Sequence, residues 1–157
     1  MNKQSNRPAD WKEKIVKRNE DKLLRTAIAI TVNKAEAEDI VQDVFVKLIE
    51  KQPCFETEEY ETAWLIRVTV NLSKNRLRSH WRKKTEPLLD IYPAKTEEQH
   101  NLMETVLTLP PKYRTVIHLY YYEGYSTKEM AEITGQKEST VREQLTRARR
   151  MLKDFLE

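Results

Sequence analysis

The sequence predicts an all-α protein made of two small helical domains joined by a flexible linker. Only two glycines occur in 157 residues, although average usage is about 7%, and 34% of the residues are charged. Apolar residues recur at steps of three and four along most of the chain, which is the period of an amphipathic helix. Together these features predict helices that each bury one face.

The first half of the chain predicts three helices. Apolar residues at helical spacing run over residues 21–50, and a break at residues 32–34 divides them into two helices. Pro53 ends the second helix, because proline lacks a backbone donor and pushes the preceding residue out of helical geometry. A short acidic stretch with aromatic residues follows, and a third helix then runs from about Ala63 to beyond Arg78.

Residues 79–99 interrupt the helical pattern. Periodicity fails there, Pro87 and Pro93 intervene, and Lys, Thr and Glu are frequent, which together predict an interdomain linker. Helical spacing returns at residues 102–107, and a proline pair at 110–111 ends that helix and opens the next. The predicted organisation is an amino-terminal extension at 1–19, a first domain at 20–84, a linker at 85–99 and a second domain at 100–157.

The second domain ends in a predicted helix-turn-helix. Ser126 and Glu129 have the spacing of a capping box, in which each side chain bonds the backbone amide of the other, so a helix begins there. Gly135 can end that helix in the left-handed conformation. A further helix starts near Glu138 and carries apolar residues on one face. Two helices joined by a short glycine turn form this motif.

The last helix presents a polar face opposite its predicted core. In a helix-turn-helix such a face can lie in the major groove and reach bases or phosphates. A solvated face with charge pairs four residues apart is the alternative, but the capped helix and glycine turn before it favour DNA binding. The candidate residues for duplex DNA are Ser139, Thr140, Arg142, Glu143, Gln144 and Arg147.

The third helix carries a second candidate nucleic-acid surface. Residues 67–84 hold seven cations and no carboxylate, a surplus that binds polyanions. Trp64 and Trp81 bracket this segment and Phe55 precedes it, so rings that can stack unpaired bases are available, although general burial habits favour Trp64 as a core residue. A basic stripe with asparagines follows one side of the helix, and with Phe55 it forms the candidate set: Phe55, Arg67, Asn71, Lys74, Asn75 and Arg78.

The second helix is acidic on the face opposite its apolar residues. Residues 36–61 contain nine carboxylates against two lysines, so this segment repels phosphate groups. Asp39 and Asp43 lie four residues apart, as a catalytic or metal-binding pair can, but no histidine, serine nucleophile or further ligand accompanies them. We therefore expect no catalysis, and we predict either a solvated face or a docking surface for a basic protein.

Composition excludes several classes of protein. The two glycines, Gly124 and Gly135, cannot build a dinucleotide fingerprint or a phosphate loop. Cys54 is the only cysteine and the three histidines are dispersed, so no intrachain disulfide, zinc site or other cofactor is expected. No apolar run reaches the length of a membrane span, and the amino terminus lacks a signal peptide's apolar region, so a soluble cytoplasmic protein is expected.

Several segments resemble the extracytoplasmic-function branch of the bacterial sigma-70 family. Residues 36–45 (EAEDIVQDVF) resemble the signature of that family's first domain, sigma region 2, and residues 64–75 (WLIRVTVNLSKN) resemble its promoter-melting helix. Its second domain, the region 4 helix-turn-helix, is resembled by residues 109–114 (LPPKYR), 124–131 (GYSTKEMA), 140–142 (TVR) and 147–149 (RAR). The order and spacing of these segments are more specific than any one of them.

The resemblance implies a non-catalytic initiation subunit that gives core RNA polymerase its promoter preference. The family's helix that docks on the clamp coiled coil of the largest polymerase subunit is matched by Asp39, Gln42, Asp43, Phe45 and Lys47. The region that opens and reads the −10 element is matched by Arg67, Asn71, Lys74 and Asn75, with a flipped base held near residues 55–60. The helix that reads the −35 element is matched by Arg142, Gln144 and Arg147.

Core RNA polymerase, promoter DNA and an anti-sigma factor are the partners that the resemblance implies, and no small-molecule substrate is expected. The anti-sigma factor would clamp between or around the two domains, a rearrangement that a flexible linker permits. Two alternatives stay open from the residues alone: a regulator that binds duplex DNA through residues 109–157 without polymerase, and a helical adaptor that binds only proteins. Steep salt dependence of binding distinguishes them, because phosphate contacts weaken as salt rises.

Overall fold

The structure, a computed structural model, describes residues 7–80 and 104–156, which contain no strand. The main helices are α1 (Trp11–Thr31), α2 (Lys34–Lys51), α3 (Glu58–His80), α4 (Pro111–Ile117), α5 (Thr127–Thr134) and α6 (Glu138–Leu156). A short helical stretch at 104–108 precedes α4, and a π-helical turn (His118–Tyr122) continues it. The predicted all-α fold is confirmed, whereas the predicted linker at 85–99 lies outside the described residues.

Helix α1 begins at Trp11, within the segment 1–19 that the sequence assigned to an extension. The Asn19 side chain on this part of the helix is buried and donates to the carbonyl of Ile15 (2.8 Å) and to Glu61 Oε2 on α3 (3.0 Å). It also accepts from the Thr62 hydroxyl (2.8 Å). The start of α1 is therefore fastened to α3 by a buried polar network and packs as part of the first domain.

The predicted break between the first two helices is confirmed. Val32 leaves helical geometry with φ of 50°, while its amide bonds the carbonyl of Ile28 at 2.8 Å. Asn33 is extended and its side chain accepts from the amide of Glu36 at 2.9 Å, which caps the start of α2. An asparagine at this position satisfies a donor that the first helical turn leaves unpaired.

Helix α2 ends where the proline predicted, but α3 begins earlier than about Ala63. Gln52 adopts a left-handed conformation with φ of 43°, and Pro53 follows it. Helix α3 then starts at Glu58 and has three glutamates in its first turn. Negative charges stabilise a helix amino terminus, because the unpaired amides there carry partial positive charge. The acidic stretch that carried no apolar period is thus the first turn of α3.

The helix-turn-helix forms as predicted. The Ser126 hydroxyl accepts from the amide of Glu129 (3.1 Å) and the Glu129 carboxylate accepts from the amide of Ser126 (3.0 Å), which completes the capping box. Gly135 has φ of 71°, a left-handed conformation that costs glycine little, and α6 begins at Glu138. Pro111 occupies the first turn of α4, where its missing donor is not needed.

The two domains pack against each other. We call residues 11–80 module one and residues 104–156 module two. Helix α1 contacts α4, and α3 contacts α5. The buried Arg114 of module two donates from Nε to the carbonyl of Ala29 at 2.8 Å, and its other nitrogens donate to the carbonyls of Ile30 and Leu109. One hydrophobic core therefore runs through both modules.

Candidate functional site

The exposed side of α2 carries the acidic residues that the sequence singled out. Asp39, Gln42 and Asp43 are all exposed. Arg76 of α3 reaches across to Asp43 (3.1 Å) and Asp39 (3.8 Å), and its shortest contact is with the largely buried Glu36 (2.6 Å). The hydrogen bond to Glu36 raises the pKa of Arg76 above its usual range. Both aspartates keep an open side toward solvent, and we call Asp39, Gln42 and Asp43 the acidic face.

Two residues predicted with the acidic face do not share its exposure. Phe45 is half-buried against the core, and Lys47, four residues beyond Asp43, is also half-buried. Instead, Val46 and Ile49 are 49% and 48% exposed. Each lies seven residues beyond Asp39 or Gln42, so all four share one side of α2. Ile49 continues the apolar period of α2, but Ile40, Val44 and Leu48 already fill the buried side of the helix.

The basic stripe on α3 is mostly exposed. Arg67, Asn71, Asn75 and Arg78 are open to solvent, as four residues spaced along one side of a helix should be. Lys74 is half-buried, and desolvation together with the neighbouring Arg78 charge lowers the pKa of Lys74. The exposed part of this surface therefore carries two guanidinium groups and two amides. We call Arg67, Asn71, Lys74, Asn75 and Arg78 together the basic stripe.

The aromatic residues near the stripe divide into packed and open ones. Phe55 and Trp64 are half-buried against the core with ring centroids 5.8 Å apart and an angle of 57° between the rings. Tyr60, in the first turn of α3, is exposed. The interpretation of Trp64 as a packing residue agrees with this burial, and Tyr60 is the aromatic surface left open for a ligand.

A cleft of about 1190 Å³ lies between the modules and includes part of the stripe. Phe55, Tyr60 and Arg67 line it from module one, and Tyr125 and Ile133 line it from module two. Glutamates contribute to both walls: Glu56, Glu58, Glu59, Glu123, Glu129 and Glu132. Two candidate DNA residues, Phe55 and Arg67, therefore line an acidic cleft that both modules form.

The candidate face of α6 is exposed but internally paired. Ser139, Arg142, Glu143 and Arg147 are exposed, whereas Thr140 and Gln144 are half-buried. Arg147 contacts Glu143 at 2.7 Å, and Arg142 contacts Glu138 at 3.8 Å. A hydrogen bond to Tyr113, with the Glu143 charge, raises the pKa of Arg147. These are the charge pairs four residues apart expected of a solvated face, and exposed pairs of this kind hold their partners weakly.

Gln144 and Arg149 point elsewhere on α6. Gln144 Oε1 is buried and has no hydrogen-bond partner in the structure. Arg149 donates from Nε to the Tyr121 hydroxyl at 2.6 Å, with its guanidinium over the rings of Tyr120 and Tyr121. Arg149 thus lies beside the π-helical turn, whereas Arg147 contacts Glu143 on its own helix and Tyr113 on α4.

The described residues contain no cluster of three or more histidine, cysteine or carboxylate groups arranged to hold a metal ion. In the same part of the chain, no helix combines the length and apolar character that crossing a bilayer requires.

Comparison with known proteins identifies both modules. The family model for sigma-70 region 2 matches residues 15–83, and that for sigma-70 region 4 matches residues 99–152. The RNA polymerase sigma-E factor of Streptomyces antibioticus is 31% identical over 151 residues, which cover 92% of this chain and 84% of that protein. The ECF RNA polymerase sigma factor SigW of Bacillus subtilis is 29% identical, with 87% and 83% covered. For SigE of Mycolicibacterium smegmatis, 29% identical, the match spans 61% of that protein's length.

Solved structures share the fold of both modules. The sigma factor RpoE of Bartonella quintana, determined with the anti-sigma factor NepR, superposes with a TM-score of 0.76 at 25% identity, covering 92% of this chain and 95% of that one. CnrH, determined with the cytosolic domain of CnrY, superposes with a TM-score of 0.71 at 24% identity, covering 98% and 91%. The chain belongs to the sigma-70 family, among its extracytoplasmic-function RNA polymerase sigma factors.

Proposed function

We propose that this chain binds core RNA polymerase and directs it to start transcription at particular promoters. The observation that carries the proposal is the separation of charge within the sigma-70 fold. An acidic exposed face lies on α2, a basic stripe lies on α3, and a capped helix-turn-helix lies in module two. A subunit of this kind binds polymerase and positions it on DNA, so we propose no catalytic activity for it. It would act in the cytoplasm, where polymerase and chromosome meet.

The acidic face is the proposed contact with polymerase. Asp39 and Asp43 are exposed carboxylates that repel DNA phosphates, so they suit a basic protein surface. Val46 and Ile49 extend the face with exposed apolar groups, of the kind that protein interfaces bury at their centre. The proposed partner surface therefore combines basic and apolar side chains, and the clamp coiled coil implied by the family is the proposed element.

The basic stripe is the proposed contact with the −10 element. Arg67 and Arg78 can neutralise phosphates, while the amides of Asn71 and Asn75 can bond the edges of unpaired bases. Moving a base out of the duplex costs a few kcal/mol. Stacking on an exposed ring such as Tyr60 offsets this cost by about 1–3 kcal/mol per base.

Helix α6 is the proposed reader of the −35 element. Exposed Ser139, Arg142 and Arg147 lie on the side of the second helix that a helix-turn-helix places in the major groove. An anti-sigma factor is a further proposed partner. The structure of a similar sigma factor, RpoE, was determined with the anti-sigma factor NepR. Co-purification of this chain from its native host under uninduced conditions should recover such a partner.

The test of the proposal is reconstitution. The purified chain is mixed with bacterial core RNA polymerase, and a randomised promoter library is selected for transcripts in vitro. We expect a stable complex with core and an enriched pair of elements near −35 and −10. Failure to bind core at micromolar concentration would contradict the proposal, and binding to palindromic duplexes without polymerase would favour an autonomous regulator instead.

Arg147→Ala is expected to weaken recognition of the selected −35 element. An arginine bonded to a base edge contributes about 1–3 kcal/mol of discrimination, so the preference for the selected element should fall roughly 5- to 150-fold. The measurement is competition binding of holoenzyme between selected and scrambled −35 duplexes. Arg149→Ala is the matched control, because it removes the same charge from α6 but on the side held by Tyr121. An equal loss of discrimination in both variants would show that Arg147 contributes only general charge.

Asn71→Ala is expected to slow promoter opening while closed-complex binding stays within about twofold. The amide lies on the exposed stripe, and loss of one hydrogen bond costs about 0.5–1.5 kcal/mol, or roughly 2- to 12-fold in opening. Permanganate reactivity of −10 thymines measures opening, and binding at low temperature measures the closed complex. Ser79→Ala, near the end of the same helix, is the control. Equal losses in both assays would mean that the −10 and duplex-binding surfaces are misassigned.

A further inference from the structure

A buried polar cluster lies where α1 of module one meets the π-helical turn of module two. The Glu123 side chain is 1% exposed, and its carboxylate lies 3.9 Å from Lys22 Nζ and 3.5 Å from Arg25 Nη2, both on α1. His118 is also 1% exposed, and its Nε2 lies 3.1 Å from the Thr26 hydroxyl. Groups from two modules thus share one cluster. We call it the latch, and its residues are Lys22, Arg25, Thr26, His118 and Glu123.

The hydrogen bonds assign the proton on the His118 ring. The Thr26 hydroxyl donates its single hydrogen to the carbonyl of Lys22 at 2.8 Å. Its oxygen must therefore accept from His118, which places a hydrogen on Nε2. The ring also stacks on Tyr122, with centroids 5.8 Å apart and 17° between the planes. The closed arrangement is built around this neutral tautomer.

A second proton on His118 would add a third cation beside Lys22 and Arg25, with Glu123 as the carboxylate among them. Glu123 Oε1 lies 3.7 Å from His118 Nε2 but is already shared with Arg25. Burial, together with the charges of Arg25 and Lys22, lowers the pKa of His118 to about 3. Burial disfavours the charged form of the ring and the two neighbouring cations repel it, so the closed arrangement resists protonation.

We propose that the latch makes the contact between the modules sensitive to protons, so that mild acid favours their separation. Separation would expose the histidine ring to water and leave it free to bind a proton. It would also open the acidic cleft that Phe55 and Arg67 line. The effect on DNA rests on the proposed function, whereas the separation itself does not.

The sign of the effect follows from proton counting. In the closed form His118 stays neutral down to a pKa of about 3, and in an open form with the ordinary pKa of about 6.5 it binds a proton below that pH. The neutral ring thus favours closure fully above about pH 6.5, and this preference is lost as pH falls. Between pH 7.5 and 5.5 the open-to-closed ratio should rise about tenfold.

Glu123 acts in the opposite direction. Burial raises the pKa of Glu123, partly offset by Arg25 and Lys22, so its protonation in the closed form favours closure at low pH. Tyr122 and Tyr125 titrate well above this range, since burial raises the pKa of both. In a window that stops at pH 5.5 we assign the net response to the histidine, because its pKa is about 3 in the closed form and about 6.5 in water.

Single-molecule energy transfer across the cleft tests the latch. Cys54 is exposed and is the only cysteine, so a second label at Lys128→Cys on α5 gives one dye on each module. We expect the low-transfer population to increase about tenfold relative to the high-transfer one between pH 7.5 and 5.5, with helical circular dichroism unchanged. No increase, or an increase only in parallel with lost helicity, would overturn the proposal.

Two variants separate the latch from general acid effects. His118→Gln removes the titrating group, so its ratio should not change across the same window. Thr26→Val keeps the buried histidine but removes its hydrogen-bond partner, so it should be more open at pH 7.5 and still respond to acid. An acid response in His118→Gln equal to that of the wild type would overturn the proposal. If the labelled His118→Gln variant does not fold, Thr26→Val serves as the test. Loss of the acid response in Thr26→Val would also overturn the proposal.

Discussion

Replacing Asp39 and Asp43 together by lysine is expected to abolish retention of the chain on core RNA polymerase. Both side chains are exposed on the acidic face, and a like-charge contact in an interface costs several kcal/mol. An affinity loss of at least about a thousandfold corresponds to roughly 4 kcal/mol. The measurement is a pull-down of purified core polymerase with wild type and variant side by side, followed by titration of each.

The fold should survive this double substitution. Asp39 and Asp43 both lose their contacts with Arg76, but exposed pairs contribute only about 0–1 kcal/mol each. Arg76 keeps its contact with Glu36 at 2.6 Å. Helical circular dichroism should therefore match that of the wild type, and a collapse of helicity would return both aspartates to a structural role.

A matched control separates the acidic face from net charge. Glu20→Lys with Asp21→Lys reverses two adjacent exposed charges on α1 and shifts net charge by the same amount. We expect this variant to be retained on core polymerase within about threefold of the wild type, because long-range effects of exposed charges are largely screened at physiological salt. Equal losses in the two double variants would mean that polymerase responds to overall charge and not to the acidic face.

Local chemistry made the ends of most elements predictable from sequence. Pro53 stops α2 because proline has no backbone N–H to donate. Ser126 and Glu129 start α5 because the side chain of each accepts a hydrogen bond from the backbone amide of the other. Gly135 likewise accommodates a conformation that other residues avoid. The start of α3 was mispredicted because its first turn is made of glutamates, which carry no apolar period and favour a helix only through the charge of its end.

The exposure of individual site residues depended on packing that the sequence does not display. Helical spacing correctly placed Asp39 and Asn71 on open faces. It could not tell that Phe45 and Lys74 would be half-buried or that Ile49 would be open, because these depend on which neighbouring helix covers each flank. The −10 and −35 assignments to individual residues remain predictions.

The contact between the modules was the least predictable feature. Arg114 was noticed only as part of a motif, and Glu123 and His118 attracted no prediction, since their partners lie on α1. Contacts between residues that lie far apart in the sequence produce no periodic pattern from which they could be predicted. The positions of Arg114 and Glu123 at this contact are visible only once the two modules are placed side by side.

Arg114→Met is expected to lower the free energy of unfolding by about 3–5 kcal/mol, a large part of the roughly 5–15 kcal/mol of a typical domain. Arg114 is buried, and its guanidinium donates to the carbonyls of Leu109, Ala29 and Ile30. Two of these end α1, whose last turn contains no basic residue. The variant loses charge-assisted bonds and leaves buried carbonyls without that donor. Urea unfolding measures the change.

Two further variants show whether geometry or charge is responsible. Arg114→Lys keeps a cation at the end of α1 but lacks the planar guanidinium that reaches three carbonyls at once, so we expect an intermediate loss. Arg150→Met makes the same chemical change at an exposed position of α6 and should stay within about 0.5 kcal/mol of the wild type. A loss below about 1 kcal/mol for Arg114→Met would mean that water replaces the guanidinium at little cost. The modules would then be held together by apolar packing and the latch.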